Sequence, residues 1–161
     1  MSESWSGGCQ CGAIRYRFTR RPAGAHVCHC RMCQKAFGGF YAPLVGARSE
    51  YFEVTRGAIA TFSSSDLVER GFCRDCGTPL TFAYKSGSGI SVSIGSLDHP
   101  EDFPPLDQHG VEGRLPFVNG IGHLPDLPAT EDEDPATAEA IRQSNHQHPD
   151  RDTAEWPPGG R

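Results

Sequence analysis

The sequence predicts a mainly β protein of short strands and many turns. Three observations carry this. Apolar and polar residues alternate over short segments, glycine and serine clusters punctuate those segments, and no repeat or sustained 3.6-residue period is present. The clearest strand is AIRYRF, in which Ile14, Tyr16 and Phe18 point one way and Arg15 and Arg17 the other. Similar strands are expected over residues 40–45, 51–54, 59–62, 67–72, 79–84 and 90–94. Gly38-Gly39, the serines at 63–65 and the stretch 86–89 separate them. The single helical candidate is a short turn or helix over residues 31–37.

The chain has 161 residues, of which 37% are hydrophobic, and its mean hydropathy is −0.47. That is a thin supply for a self-sufficient core. No apolar run approaches the roughly 20 residues a membrane span needs. Residues 1–8 are polar and lack the apolar stretch of a secretory signal, so a cytoplasmic location is expected. The chain divides near Pro128 into a domain, 1–128, and an acidic tail, 129–161. The tail is rich in acidic residues, Pro, Gln and Asn and is expected to be disordered, because it offers little apolar surface to offset chain entropy. It carries eight acidic and three basic residues, which accounts for the whole net charge of −5. The body is neutral but split: residues 1–48 hold seven basic and one acidic residue, residues 49–128 five basic and eleven acidic. The basic third suits a small anionic substrate or is a set of solvated strand faces.

Seven cysteines cannot all pair within one chain, and in a reducing compartment close pairs read as metal-binding or catalytic. They form three groups: Cys9-Gln10-Cys11, then Cys28-His29-Cys30-Arg31-Met32-Cys33, then Cys73-Arg74-Asp75-Cys76. In C-x-C on extended chain both side chains share a face. In C-x-x-C one tight turn brings both sulfurs to one ion. Gly12 and Gly77, just after two of the groups, permit the positive φ such turns require. The division that keeps each group intact joins the two pairs, Cys9, Cys11, Cys73 and Cys76, at a closed structural zinc. It leaves Cys28, Cys30 and Cys33 at a second zinc. Three ligands leave either an open, catalytic position or a fourth ligand from His26, His29, His99, His109 or His123. Alternation turns His29 away from its flanking cysteines, making it the weakest of these. A redox C-x-x-C does not account for the C-x-C pairs.

GGCQCGAIRY, CHCRMCQKAFG and FCRDCGTPL, across residues 6–97, resemble the glutathione-dependent formaldehyde-activating enzyme family, which shares its domain with centromere protein V. The resemblance implies a β-tent zinc fold of several small coiled antiparallel sheets. It implies the same partition, with a structural zinc at the four cysteines and a catalytic zinc at the three. It also implies carbon–sulfur lyase chemistry, the reversible joining of glutathione and formaldehyde as S-hydroxymethylglutathione. Beyond Asp98 the chain lacks the aromatic-rich strand expected of the family, keeping only Phe117 centrally.

The expected partner is therefore a small thiol and aldehyde, glutathione among them, with Arg31 and Lys35 as candidates for a substrate carboxylate. His29 and His99 are weak acid–base candidates. The alternative is a non-catalytic zinc-stabilised module for a protein or nucleic acid. The neutral body and acidic tail argue against nucleic acid, which needs excess Lys and Arg.

Overall fold

The computed structural model describes residues 5–157. Its strands are β1 (Trp5–Gly8), β2 (Arg15–Phe18), β3 (Ala23–Cys28), β4 (Ala42–Arg48), β5 (Phe52–Arg56), β6 (Ala60–Ser63), β7 (Val68–Phe72), β8 (Pro79–Tyr84), β9 (Gly89–Ser93) and β10 (Asp107–His109). The helices are α1 (Arg31–Phe37), α2 (Thr130–Glu133) and α3 (Pro135–Ser144). The strands form one sheet ordered β1-β2-β5 and one ordered β10-β3-β4-β9-β8-β7-β6. Every pairing is antiparallel except β10 against β3. The mainly β expectation holds, and α1 covers the predicted helix. β1, β3 and β10 carry no clean alternation and were not legible.

Two apolar clusters build the interior. The larger holds Tyr16, Phe18, Val45, Leu80 and Val92, all fully buried, together with Cys9 and Cys73. The smaller holds Cys33, Ala42 and Leu44, with Cys28, Cys30 and Phe82 packed against it. Successive residues of a strand face opposite sides, so β4 sends Ala42 and Leu44 to one cluster and Val45 to the other. The cysteines are thus part of the core, as the thin apolar composition required.

Arg15 departs from the expected solvated strand face. It is only 3% exposed, and its Nη1 and Nη2 donate to the two carboxylate oxygens of Asp98 at 2.7 and 2.5 Å. Its Nε donates to Asp152 at 2.9 Å. Asp98 comes from the loop that follows β9, so this fork ties the small sheet to the large one.

The C-terminal segment also meets the body. Beyond α3 the chain returns to the body, and His148 is 5% exposed. The His148 backbone N–H donates to the Gln10 carbonyl at 2.7 Å, and the Trp156 indole N–H donates to the Cys11 carbonyl at 2.7 Å. Arg56 donates to the Thr153 carbonyl and lies 3.3 Å from His148 Nε2. The anchors are polar and backbone groups, so an argument from apolar content does not register them. No helix among the described residues is long and apolar enough to cross a membrane.

Candidate metal centres and cavity

Cys9 and Cys11 sit on the turn between β1 and β2, Cys73 and Cys76 on the turn between β7 and β8. The turns are built alike. The Cys9 N–H donates to the Ile14 carbonyl at 3.1 Å, and the Cys73 N–H donates to the Thr78 carbonyl at 3.0 Å. Gly12 and Gly77 take φ of 79° and 77°, the left-handed conformation expected of them. At Gly12 a Cβ would also lie 2.2 Å from the His148 ring, so the closing segment needs glycine there.

The four sulfurs of Cys9, Cys11, Cys73 and Cys76 lie within 4.8 Å of one another. The separations Cys9–Cys11 and Cys11–Cys73 are 3.6 and 3.9 Å. A tetrahedral ion at about 2.3 Å from each sulfur requires edges of about 3.8 Å, so the donor set and its spacing fit a zinc ion. Burial pushes the Cys9 thiol well up from its ordinary value. Burial opposes ionisation of Cys76 too, yet the Thr78 hydroxyl and nearby backbone amides outweigh it and bring that thiol down to about 6.

The second group is assembled by one strand end and one helix start. Cys28 ends β3, Cys30 caps α1, and Cys33 lies in its first turn, where its N–H points at the Cys30 sulfur at 3.4 Å. The three sulfurs lie within 4.8 Å of one another and can hold a metal ion. Among the described residues no histidine or carboxylate joins this group within that distance. Of the five candidate histidines, His29 points away, as alternation required: it is 1% exposed and its Nε2 lies 2.9 Å from Gln108. His99 is exposed beside Glu101, and His123 is exposed at the end of a 3-10 turn. His26 and His109 group instead with Asp107.

The segment 107–113 holds the triplet from outside. The His29 N–H donates to the His109 carbonyl at 2.8 Å, and the buried Gln34 amide donates to the carbonyls of His29 and Gly113, both at 2.8 Å.

Cys28, Cys30 and Cys33 open onto a cavity of about 540 Å³, walled by apolar side chains including Leu44, Phe82 and Ile90. That volume is in the range of small-molecule sites. Arg70, on β7, stands at the same cavity and was missed in the sequence reading. It is 6% exposed, its Nη2 donates to the Cys33 sulfur at 3.3 Å, and its guanidinium carbon lies 5.0 Å above the Phe82 ring. Its Nη1 is buried without a partner among the described residues. Burial raises the Cys33 thiol to about 12 against the opposing pull of Arg70. Cys30 ends below its ordinary value, because the Cys33 N–H and the Arg70 charge, among others, outweigh its burial. The signal for Arg70 was its place on a strand leading into a C-x-x-C turn. Arg31 and Lys35 lie outside this cavity, beside an adjacent hollow of about 330 Å³ that Arg70 also borders.

Comparison with known proteins places the fold in a family. The family model for glutathione-dependent formaldehyde-activating enzyme matches residues 4–110. An uncharacterized lyase of Schizosaccharomyces pombe is 30% identical over 90 residues, covering 52% of this chain and 60% of the relative. A crystal structure of a Rhodobacter sphaeroides protein superposes with a TM-score of 0.51 at 25% identity, covering 64% of this chain and 98% of that one. The matched segment holds all seven cysteines and both strands of the β3–β10 pair, and the chain belongs to the glutathione-dependent formaldehyde-activating enzyme family.

Proposed function

We propose that this protein is a zinc-dependent carbon–sulfur lyase acting on the adduct of a thiol and an aldehyde. Glutathione and formaldehyde, joined as S-hydroxymethylglutathione, are the leading pair. In this reading Cys9, Cys11, Cys73 and Cys76 hold a structural zinc, and Cys28, Cys30 and Cys33 hold a catalytic one. The observation that carries it is the opening of three convergent sulfurs onto an apolar cavity of about 540 Å³ with a buried guanidinium at its wall.

A zinc held by three thiolates is a weak Lewis acid for water and supplies a soft position that keeps a substrate thiol ionised. The chain's own residues set up the rest. Leu44, Phe82 and Ile90 exclude water, which strengthens the electrostatics at the sulfurs. Arg70 offsets their negative charge and orients Cys33. In the forward direction the thiol gives up its proton, its sulfur adds to the aldehyde carbon as the C=O π bond opens, and the resulting alkoxide oxygen takes up one proton, so that RSH and the aldehyde become the hydroxyalkyl thioether. Lysis reverses each change.

The test uses the full-length zinc-loaded protein with glutathione and formaldehyde, following adduct formation by NMR against the uncatalysed rate. The expected result is acceleration that Cys30→Ser abolishes. No acceleration, or equal acceleration by the variant, sinks the reading. A non-catalytic binding module predicts that outcome, together with no thermal stabilisation by any thiol.

A further inference from the structure

We propose that His26, Asp107 and His109 form a third metal site, for a divalent transition-metal ion, on the rim of the cavity that the three cysteines share. One ligand atom from each of these residues lies within 4.8 Å of the others. The sheet explains why. β3 and β10 run parallel, with Asp107 opposite His26 and His109 opposite Cys28. Residues two apart on a strand share a face. His26 and Cys28 therefore project on the same side as Asp107 and His109. His26, Cys28 and His109 all line the cavity.

A second observation points to a ligand. His26 Nδ1 lies 2.8 Å from the Gly24 carbonyl oxygen. A carbonyl only accepts, so Nδ1 is the donor in this contact and the lone pair available to a metal is the one at Nε2. Metal-ligating imidazoles are held in this way, with the other N–H bonded to a carbonyl or carboxylate. His109 Nε2 lies 3.1 Å from Asp107 Oδ1, an arrangement that places a nitrogen and an oxygen donor side by side. The two imidazole rings have centroids 4.5 Å apart.

Two imidazoles and one carboxylate suit zinc, cobalt or nickel and suit calcium and magnesium poorly. The donor set is harder than the thiolate groups, and the side chains of His109 and Asp107 are 61% and 62% exposed. This site therefore binds more weakly than the cysteine groups and fills last. It stands independently of the thiol chemistry.

The experiment titrates further Zn²⁺ into full-length protein already carrying two equivalents, by calorimetry and by long-range ¹H–¹⁵N imidazole spectra. A third equivalent is expected, with ring signals of His26 and His109 shifting together. The double substitution Asp107→Asn, His109→Ala is expected to lose the third equivalent and retain the first two. No third equivalent in the native protein overturns the proposal. So does a third equivalent retained in the double variant, or shifts confined to His123 or His146. If the double variant loses the first two equivalents, the spectra of the native protein decide alone.

Discussion

Replacing Arg70 with methionine removes a buried positive charge from beside the three-cysteine group while keeping a long apolar side chain. A zinc ion held there by three thiolates would leave a net charge of −1, which the guanidinium would offset. Its Nη2 is 3.3 Å from the Cys33 sulfur. At that separation and an effective dielectric of about 20 the bare attraction is about 5 kcal/mol. Desolvation of the buried groups takes back part of it. Hydrogen bonds to charged groups contribute about 1.5–3 kcal/mol net, which corresponds to about 10- to 150-fold in affinity. Arg70→Met is therefore expected to weaken metal binding at Cys28, Cys30 and Cys33 by that factor. The assay is competition with a chromophoric chelator, in which the four-cysteine group serves as the internal reference. Arg70→Lys restores the charge without the planar fork or the stacking on Phe82 and recovers only part of the loss. Unchanged affinity in Arg70→Met would refute the charge-compensation argument.

Three further outcomes follow from the other polar ties. Asp98→Asn leaves the Arg15 guanidinium buried with its fork broken; the two side chains are 4% and 5% exposed. Removing one partner of such a pair costs about 3–5 kcal/mol, a loss to be read from denaturant midpoints with m unchanged. Burial alone would raise the Asp98 carboxyl, but Arg15 and the Ser6 hydroxyl hold it below the ordinary carboxylate value. With the folded value depressed, the stabilisation is complete above the unfolded pKa of about 4 and is lost as pH falls through the lower folded value. Acid unfolding curves should carry this component in the native protein and lack it in Asp98→Asn. Deleting residues 145–161 uncovers the turn at Cys9 and Cys11, which His148 and Trp156 now cap. Chelator should then strip metal from the four-cysteine group faster and leave release from the triplet unchanged; equal rates at both groups would show that the segment protects nothing.

The strands with alternation, such as β2 and β7 to β9, were legible because burying one face imposes a period of two on the residues themselves. Helix α1 was legible for a similar reason: the spacing from Cys30 to Cys33 is one helical turn, and Gly38, at φ 63°, ends it. β10 was not legible. It is three polar residues, Asp107, Gln108 and His109, and it becomes a strand only because β3 offers an unpaired edge. The alternation that marked Arg15 as outward was right about direction and wrong about solvent, since Asp98 waits on that side.

The grouping of the seven cysteines and the mainly β character can be read from the residues alone, because both are written in spacings of one to three residues. Tertiary structure decided what surrounds the sulfurs: Arg70 against Cys33, Asp98 against Arg15, Asp107 and His109 beside His26, and His148 over Gly12. These partners lie 37 to 136 residues apart, as with Arg70 and Cys33 or His148 and Gly12. A polar contact over such a separation leaves no periodic trace in the chain. It depends on where whole strands and turns are brought together, and only the packed sheets supply that.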